Sequence, residues 1–199
     1  GKPTTALAES MWAELREAQA AAAGLSHVGV VNLIDTCEDG DLHPRNKQDV
    51  GRRLARAALA NLYAVKDLAW SGPVYESMRV ENGKVLLRFR HADGGLVARP
   101  LPATFKSNLR TPGGEEKPLV KPIPASELQG FAVRGRDGVW TWADAKVEGD
   151  AVVVWSAKVP VPLAVRYAWA DHPVCNLANG AGLPAFPFRT DNDPRAVTK

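Results

Sequence analysis

Ser77-Met-Arg-Val-Glu-Asn-Gly-Lys-Val-Leu-Leu-Arg-Phe-Arg90 reads as two strands joined by a tight turn. Asn82-Gly83 is a dipeptide that readily takes the positive φ of a two-residue hairpin. Leu87-Arg88-Phe89-Arg90 alternates apolar with polar, the period of a strand with one face buried. The same signature continues toward the C-terminus. Gly130–Arg134, Val139–Val147, Ala151–Ser156 and Leu163–Ala168 are further strand candidates. Asp93-Gly94-Gly95, Asp137-Gly138 and Gly149-Asp150 separate them as turns. Short strands at this density predict an all-β sandwich over residues 67–199. The stretch Pro100–Pro124 carries six prolines and a Gly-Gly pair, and is expected to be a long loop or insertion. The tail from Ala170 is rich in Pro, Gly and Asn and is expected to wrap over the surface.

Residues 1–66 have a different character. Ala6–Ala23 is built of strong helix formers, with Leu7, Met11, Leu15 and Ala18 at helical spacing and Trp12 beside them. Gly24 is placed to end the helix. Val28-Gly-Val-Val-Asn-Leu-Ile34 is short, mostly apolar and Val-rich, which predicts a buried strand. Asn46-Lys-Gln-Asp49 is a helix start, an Asn cap with an acid near the positive end of the dipole. The helix should run to about Tyr63, with Val50, Leu54, Ala57, Ala58 and Leu62 on one face. Helix, strand and helix form a piece of an α/β layer, and one strand cannot make a sheet.

Composition narrows the function. The chain has 199 residues, 45% apolar and 24% charged, which is globular in character. Its apolar runs are far short of the roughly 20 residues of a membrane span. The net charge is only +3 and the basic residues are scattered, which argues against nucleic acid as the main partner despite a pI near 9.0. Two cysteines, Cys37 and Cys175, cannot build a disulfide framework or a cysteine-rich zinc site.

The richest chemistry lies in Asp39-Gly-Asp-Leu-His-Pro44, between the expected strand and the second helix. Ligands of open α/β sheets bind at the carboxyl ends of strands. In Asp41-Leu-His43 a carboxylate could hold the imidazole tautomer while the other ring nitrogen takes a proton. A structural or solvated His43 is the competing reading. So is a divalent ion held by Asp39, Asp41 and His43, although no second histidine has ligand-like spacing. None of the seven serines lies in a nucleophile-elbow motif. Cys37 reads as a small loop residue, as half of a bridge to Cys175, or as a thiol nucleophile. Trp140, Trp142 and Trp155 read as packing residues or as a platform for sugar rings.

Asp41-Leu-His-Pro-Arg-Asn-Lys-Gln-Asp-Val-Gly-Arg-Arg-Leu-Ala55 resembles the end of the catalytic domain in sialate O-acetylesterases, carbohydrate esterases of the SGNH/GDSL type. Gly72-Pro-Val-Tyr-Glu-Ser-Met78, Leu128-Gln-Gly-Phe131, Trp142-Ala-Asp-Ala-Lys146 and Val165-Arg-Tyr-Ala-Trp169 are similar to successive parts of that family's C-terminal β-sandwich. Pro173-Val-Cys-Asn-Leu177 and Gly182-Leu-Pro-Ala-Phe-Pro-Phe-Arg-Thr190 resemble its ending, and Trp12–Gln19 the helix before the last catalytic strand.

The resemblance implies a fold, an activity and two site residues. Residues 1–66 would be the last helix-strand-helix of a flavodoxin-like SGNH layer, and the rest its β-sandwich domain. His43 would be the catalytic base and Asp41 the acid that orients it. The family's Gly-Gln-Ser-Asn nucleophile block and oxyanion-hole blocks have no counterpart here. The chain would therefore be the C-terminal part of such an enzyme, inactive alone, with the serine supplied by a missing N-terminal catalytic segment. The substrate would be an acetylated carbohydrate, sialic acid or xylan, with no metal or cofactor. A secreted or periplasmic location would follow. A glycan-binding module or a purely structural partner is the alternative.

Overall fold

The computed structural model describes residues 10–36, 43, 45–100, 108–110, 116–118 and 127–191. Two helices, α1 (Met11–Ala21) and α2 (Lys47–Asn61), precede twelve strands. In chain order these are β1 (Val74–Glu81), β2 (Lys84–Arg90), β3 (Leu96–Ala98), β4 (Asn108–Arg110), β5 (Glu116–Pro118) and β6 (Phe131–Arg134). They continue as β7 (Trp140–Trp142), β8 (Asp144–Glu148), β9 (Ala151–Trp155), β10 (Ala164–Tyr167), β11 (Leu177–Asn179) and β12 (Phe188–Arg189).

The hairpin read from the sequence forms. Glu81 pairs with Lys84, and Asn82 and Gly83 take φ of 49° and 74°, the two positive values of a type I′ turn. This hairpin is half of an antiparallel sheet ordered β1-β2-β9-β8. A second antiparallel sheet is ordered β12-β10-β6-β7. Val85, Leu87 and Phe89 of β2 and Val152 and Val154 of β9 meet Phe131, Val133, Val165, Tyr167 and Phe188 of the second sheet in one buried cluster. That shared core makes the two sheets a sandwich. β3 pairs with β11, and β4 with β5 inside the proline-rich stretch expected to be loop.

Two expectations for this half change. Val139–Val147 is not one strand. β7 belongs to one sheet and β8 to the other, and the chain crosses at Ala143, whose N–H donates to the Phe131 carbonyl. The segment after Ala170, expected to lie on the surface, is largely interior. Cys175, Leu177, Ala178, Leu183, Ala185 and Phe188 are all buried. Its polar residues satisfy the interior: Asn179 donates to the Ser71 and His91 carbonyls, and Asn176 to that of Glu127. The Tyr167 hydroxyl accepts from the Leu177 N–H at 2.9 Å. Burial, aided by the neighbouring Cys175, holds that phenol well above its ordinary pKa.

Gly72 marks how closely this segment lies. A Cβ there would stand 1.9 Å from the carbonyl oxygen of Pro184, a backbone atom that cannot swing aside. Gly72→Ala is expected to cost about 1–3 kcal/mol or more. A lower urea midpoint at unchanged m value is the expected readout.

The N-terminal part departs most from expectation. Both helices form. The Asn46 cap is as read, accepting from the Asp49 N–H, while α1, expected over Ala6–Ala23, is capped by Ser10, which accepts from the Ala13 N–H and was not foreseen. The strand expected over Val28–Ile34 is absent. Residues 28–33 take neither helix nor strand and pair with no strand among the described residues, since a parallel strand exists only through its neighbours. The helix-strand-helix layer is therefore two helices and a connecting segment beside a β-rich unit. The buried helical faces also differ. α2 buries Arg53 and Ala57 while Leu54 and Leu62 stay exposed, and α1 buries Ala13 while Met11 and Leu15 stay exposed. Polar anchors set these orientations. Arg16 donates to the carbonyls of Ala170 and Asp171, Ser10 to the Asp171 carboxylate, and Glu17 pairs bidentately with Arg189.

Candidate active-site segment

His43 is exposed and lies just before α2. Asp39 and Asp41, the carboxylates expected to accompany it as orienter or as metal ligands, lie outside the described residues, as does Cys37. Among the described residues no three of His, Cys, Asp and Glu come together in a way that could hold a metal ion. Cys175 is buried and forms no disulfide among the described residues.

The structure shows what holds the two ends of this segment. On the entry side, Asp35 and Thr36 are buried. The Thr36 hydroxyl donates to the Leu33 carbonyl at 2.8 Å. On the exit side, Asn46 caps α2 and donates to the Asp49 carboxylate at 2.8 Å. The two sides are joined by Arg53, whose guanidinium grips Asp35 with Nη1–Oδ1 at 2.6 Å and Nη2–Oδ2 at 2.8 Å. Arg53 also donates to the Asn32 carbonyl at 2.7 Å, and the Asn32 amide to that of Ala185 at 2.7 Å. The stem of the Asp41–His43 segment is thus tied both to α2 and to the β-rich unit.

Sequence reading passed over Arg53 and Asp35. An acid ahead of a polar loop and an arginine within the helix that follows were the available signal. Only the fold turns Arg53 inward.

Three of the described serines serve local structure. Ser10 caps α1, Ser71 donates to the Gly72 carbonyl, and Ser156 accepts from the Lys158 N–H. Three tryptophans, Trp140, Trp155 and Trp169, are similarly committed; Trp142 shows no such contact among the described residues. Arg134 and Arg166 lie over the Trp140 ring at 5.1 and 4.3 Å. Arg166 and Arg189 lie over Trp169 at 5.3 and 5.1 Å, and Lys84 lies over Trp155 at 5.5 Å. Such cation–π contacts occupy ring faces that a sugar platform would offer. Arg166 further pairs with the buried Asp191 at 2.6 and 3.0 Å. No helix of the described chain is long and apolar enough to cross a membrane.

No family model and no curated protein matches the chain. A solved structure does: a carbohydrate acetylesterase from Xanthomonas citri, 36% identical, with a TM-score of 0.74 over 92% of this chain. The chain spans 37% of that enzyme's length. The β-rich unit, its two helices and the stem around Asp35 are thus similar, along nearly the whole of this chain, to part of a carbohydrate acetylesterase.

Proposed function

We propose that this chain supplies the base end of a carbohydrate O-acetylesterase of the SGNH type that works by a Ser-His-Asp mechanism. The observation that carries the reading is the 36% identity to a carbohydrate acetylesterase, joined to an Asp-x-His segment set just before a capped helix. His43 would take the proton of a serine as it attacks the acetyl carbonyl. It would then return that proton to the leaving sugar hydroxyl and activate water for deacylation. Asp41 would stay ionised, fix the tautomer and stabilise the imidazolium. Backbone amides near the serine would bind the oxyanion. No step in this scheme calls for a metal or cofactor. The substrate is an acetylated carbohydrate, sialate or xylan in type, met in a secreted or periplasmic setting.

The serine and the oxyanion donors would come from a catalytic segment outside these 199 residues. The exposed surface supports such a partner. Ten of the fifteen large apolar side chains exposed among the described residues fall within residues 11–65, including Met11, Leu25, Leu62 and Tyr63. These are the side chains that such a segment would cover. Residues 28–33 add a segment that pairs with no strand among the described residues. A neighbouring α/β layer would cover the helices and pair with that segment.

The test compares the 199-residue chain with the product of its coding frame read from the first start codon upstream. The chain alone is expected to leave an aryl acetate unhydrolysed. The longer product is expected to carry a Gly-x-Ser-Asn block and to hydrolyse the ester. Turnover by the purified short chain that is lost in His43→Ala would overturn the missing-serine part of the reading. A frame that opens just before Gly1 would favour the structural or glycan-binding alternative.

A further inference from the structure

We propose that Arg99 is a positioning residue, through which the β-rich unit sets the segment that carries Asp41 and His43. This inference rests on the esterase reading given above. The juxtaposition that carries it is two guanidinium groups on one buried carboxylate. Arg53 comes from α2, the helix that follows His43, and Arg99 from the end of β3 in the β-rich unit. Both reach Asp35, which directly precedes Thr36 at the entry of the segment.

The two arginines have different tasks. Arg53 is 2% exposed and holds both carboxylate oxygens. A buried pair of this kind carries stability, because removing one partner leaves the other charge uncompensated. Arg99 is about one-third exposed and makes a single contact with Asp35, Nη1 to Oδ2 at 3.4 Å. A partly solvated, one-point ion contact contributes little to stability. It can still define direction. The same Nη1 donates to the Gly182 carbonyl at 2.5 Å, and the Arg99 N–H donates to the Asn176 carbonyl at 2.8 Å. Arg99 is therefore fixed to residues 176–182 of the β-rich unit and presents its charge to Asp35 from that base. The Asn32 amide, bonded to the Ala185 carbonyl, ties the same stem to the same region.

Geometry at a general base is sensitive to small errors. A displacement of about 1 Å can cost on the order of 10²-fold in rate. A contact too weak to matter for folding can therefore matter for turnover. It would do so through kcat, since the base acts in the transition state and does little to hold the ground-state substrate. On this view the β-rich unit holds Asp35, the residue that leads into the segment, and so buttresses it from its entry.

The experiment uses the longer, ester-hydrolysing product together with the 199-residue chain. Arg99→Met keeps the aliphatic stem and removes both polar contacts. In the longer product, kcat is expected to fall on the order of 10- to 100-fold, with KM changing less than about twofold. Arg99→Lys, which keeps a charge able to reach Asp35, is expected to restore part of the loss. In the short chain, hydrogen exchange of peptides from 36–46 is expected to quicken, with β2 and β9 unaffected. An unchanged kcat in Arg99→Met, beside a His43→Ala control that is inactive, would overturn the positioning role and leave the esterase reading standing. Exchange that quickens across β2 and β9 as well would also overturn it, by showing a general structural role. If the His43→Ala control stays fully active, the esterase reading itself fails. The exchange pattern over 36–46 then still decides whether Arg99 holds the stem.

Discussion

Turnover of an aryl acetate by the longer, ester-hydrolysing product is expected to fall about 10³-fold or more in His43→Ala, with KM little changed. General acid–base catalysis by a positioned side chain contributes roughly 10²- to 10⁴-fold. In a triad the base also activates the nucleophile, so its loss removes two roles at once. The exposure of His43 suits this task, because an imidazole enclosed by the β-rich unit could not meet a serine brought by another segment. Asp41→Asn is expected to cost on the order of 10⁴-fold, because the amide favours the wrong imidazole tautomer. Steady-state kinetics at saturating ester separate these effects from binding. Activity that survives both substitutions would move the base elsewhere in the protein. Activity lost in His43→Ala but kept in Asp41→Asn would assign the orienting role to another acceptor.

Arg166→Met is expected to lower the stability of the 199-residue chain by about 3–5 kcal/mol. Arg166 lies in β10, is 5% exposed and binds both oxygens of Asp191, whose side chain is fully buried. Without it that carboxylate keeps, among the described residues, Arg189 at 3.9 Å. The substitution also breaks the series Arg134–Trp140–Arg166–Trp169–Arg189 at its centre. Each cation–π contact there is worth about 0.5–2 kcal/mol. The last member of the series, Arg189, binds Glu17 of α1, which raises its pKa further. Damage at Arg166 should therefore loosen the docking of α1. Urea unfolding followed by tryptophan fluorescence checks the first expectation, and hydrogen exchange of 11–21 the second. The double substitution Arg166→Met with Asp191→Leu is expected to recover much of the loss, since it leaves no buried charge unpaired. A single variant as stable as the parent would show that water or another cation takes over Asp191.

How much of this was legible in the sequence depends on the range of the interaction. The β1–β2 turn was readable because Asn82-Gly83 stores its own conformation, and the α2 start because Asn46 caps it from three residues away. Strand segments were readable where one face is buried, as in β2. The break at Ala143 left only a slight trace, Trp142 and Ala143 standing side by side as two apolar residues in an otherwise alternating run, and only the two sheets decide which part each takes. The tail misled for a related reason. Pro, Gly and Asn suggest a surface, yet Asn176 and Asn179 are buried and spend their amides on backbone carbonyls. Val28–Ile34 misled in the opposite sense. Its residues favour a strand, but a strand is a relation between segments, and among the described residues none pairs with it.

By itself the sequence determined local turns, the α2 cap, most strand segments and the Asp41-x-His43 pattern on which the proposed esterase role rests. These are properties of residues a few positions apart, where backbone preference and side-chain spacing act directly. The tertiary structure alone decided that Arg53 turns inward to Asp35 while Leu54 and Leu62 face outward. It also decided that Arg99, sixty-four residues beyond Asp35, closes on the same carboxylate. Hydrophobic spacing marks which residues could be buried. Which of them are buried depends on what lies opposite, and here a buried ion pair outweighed the apolar stripe.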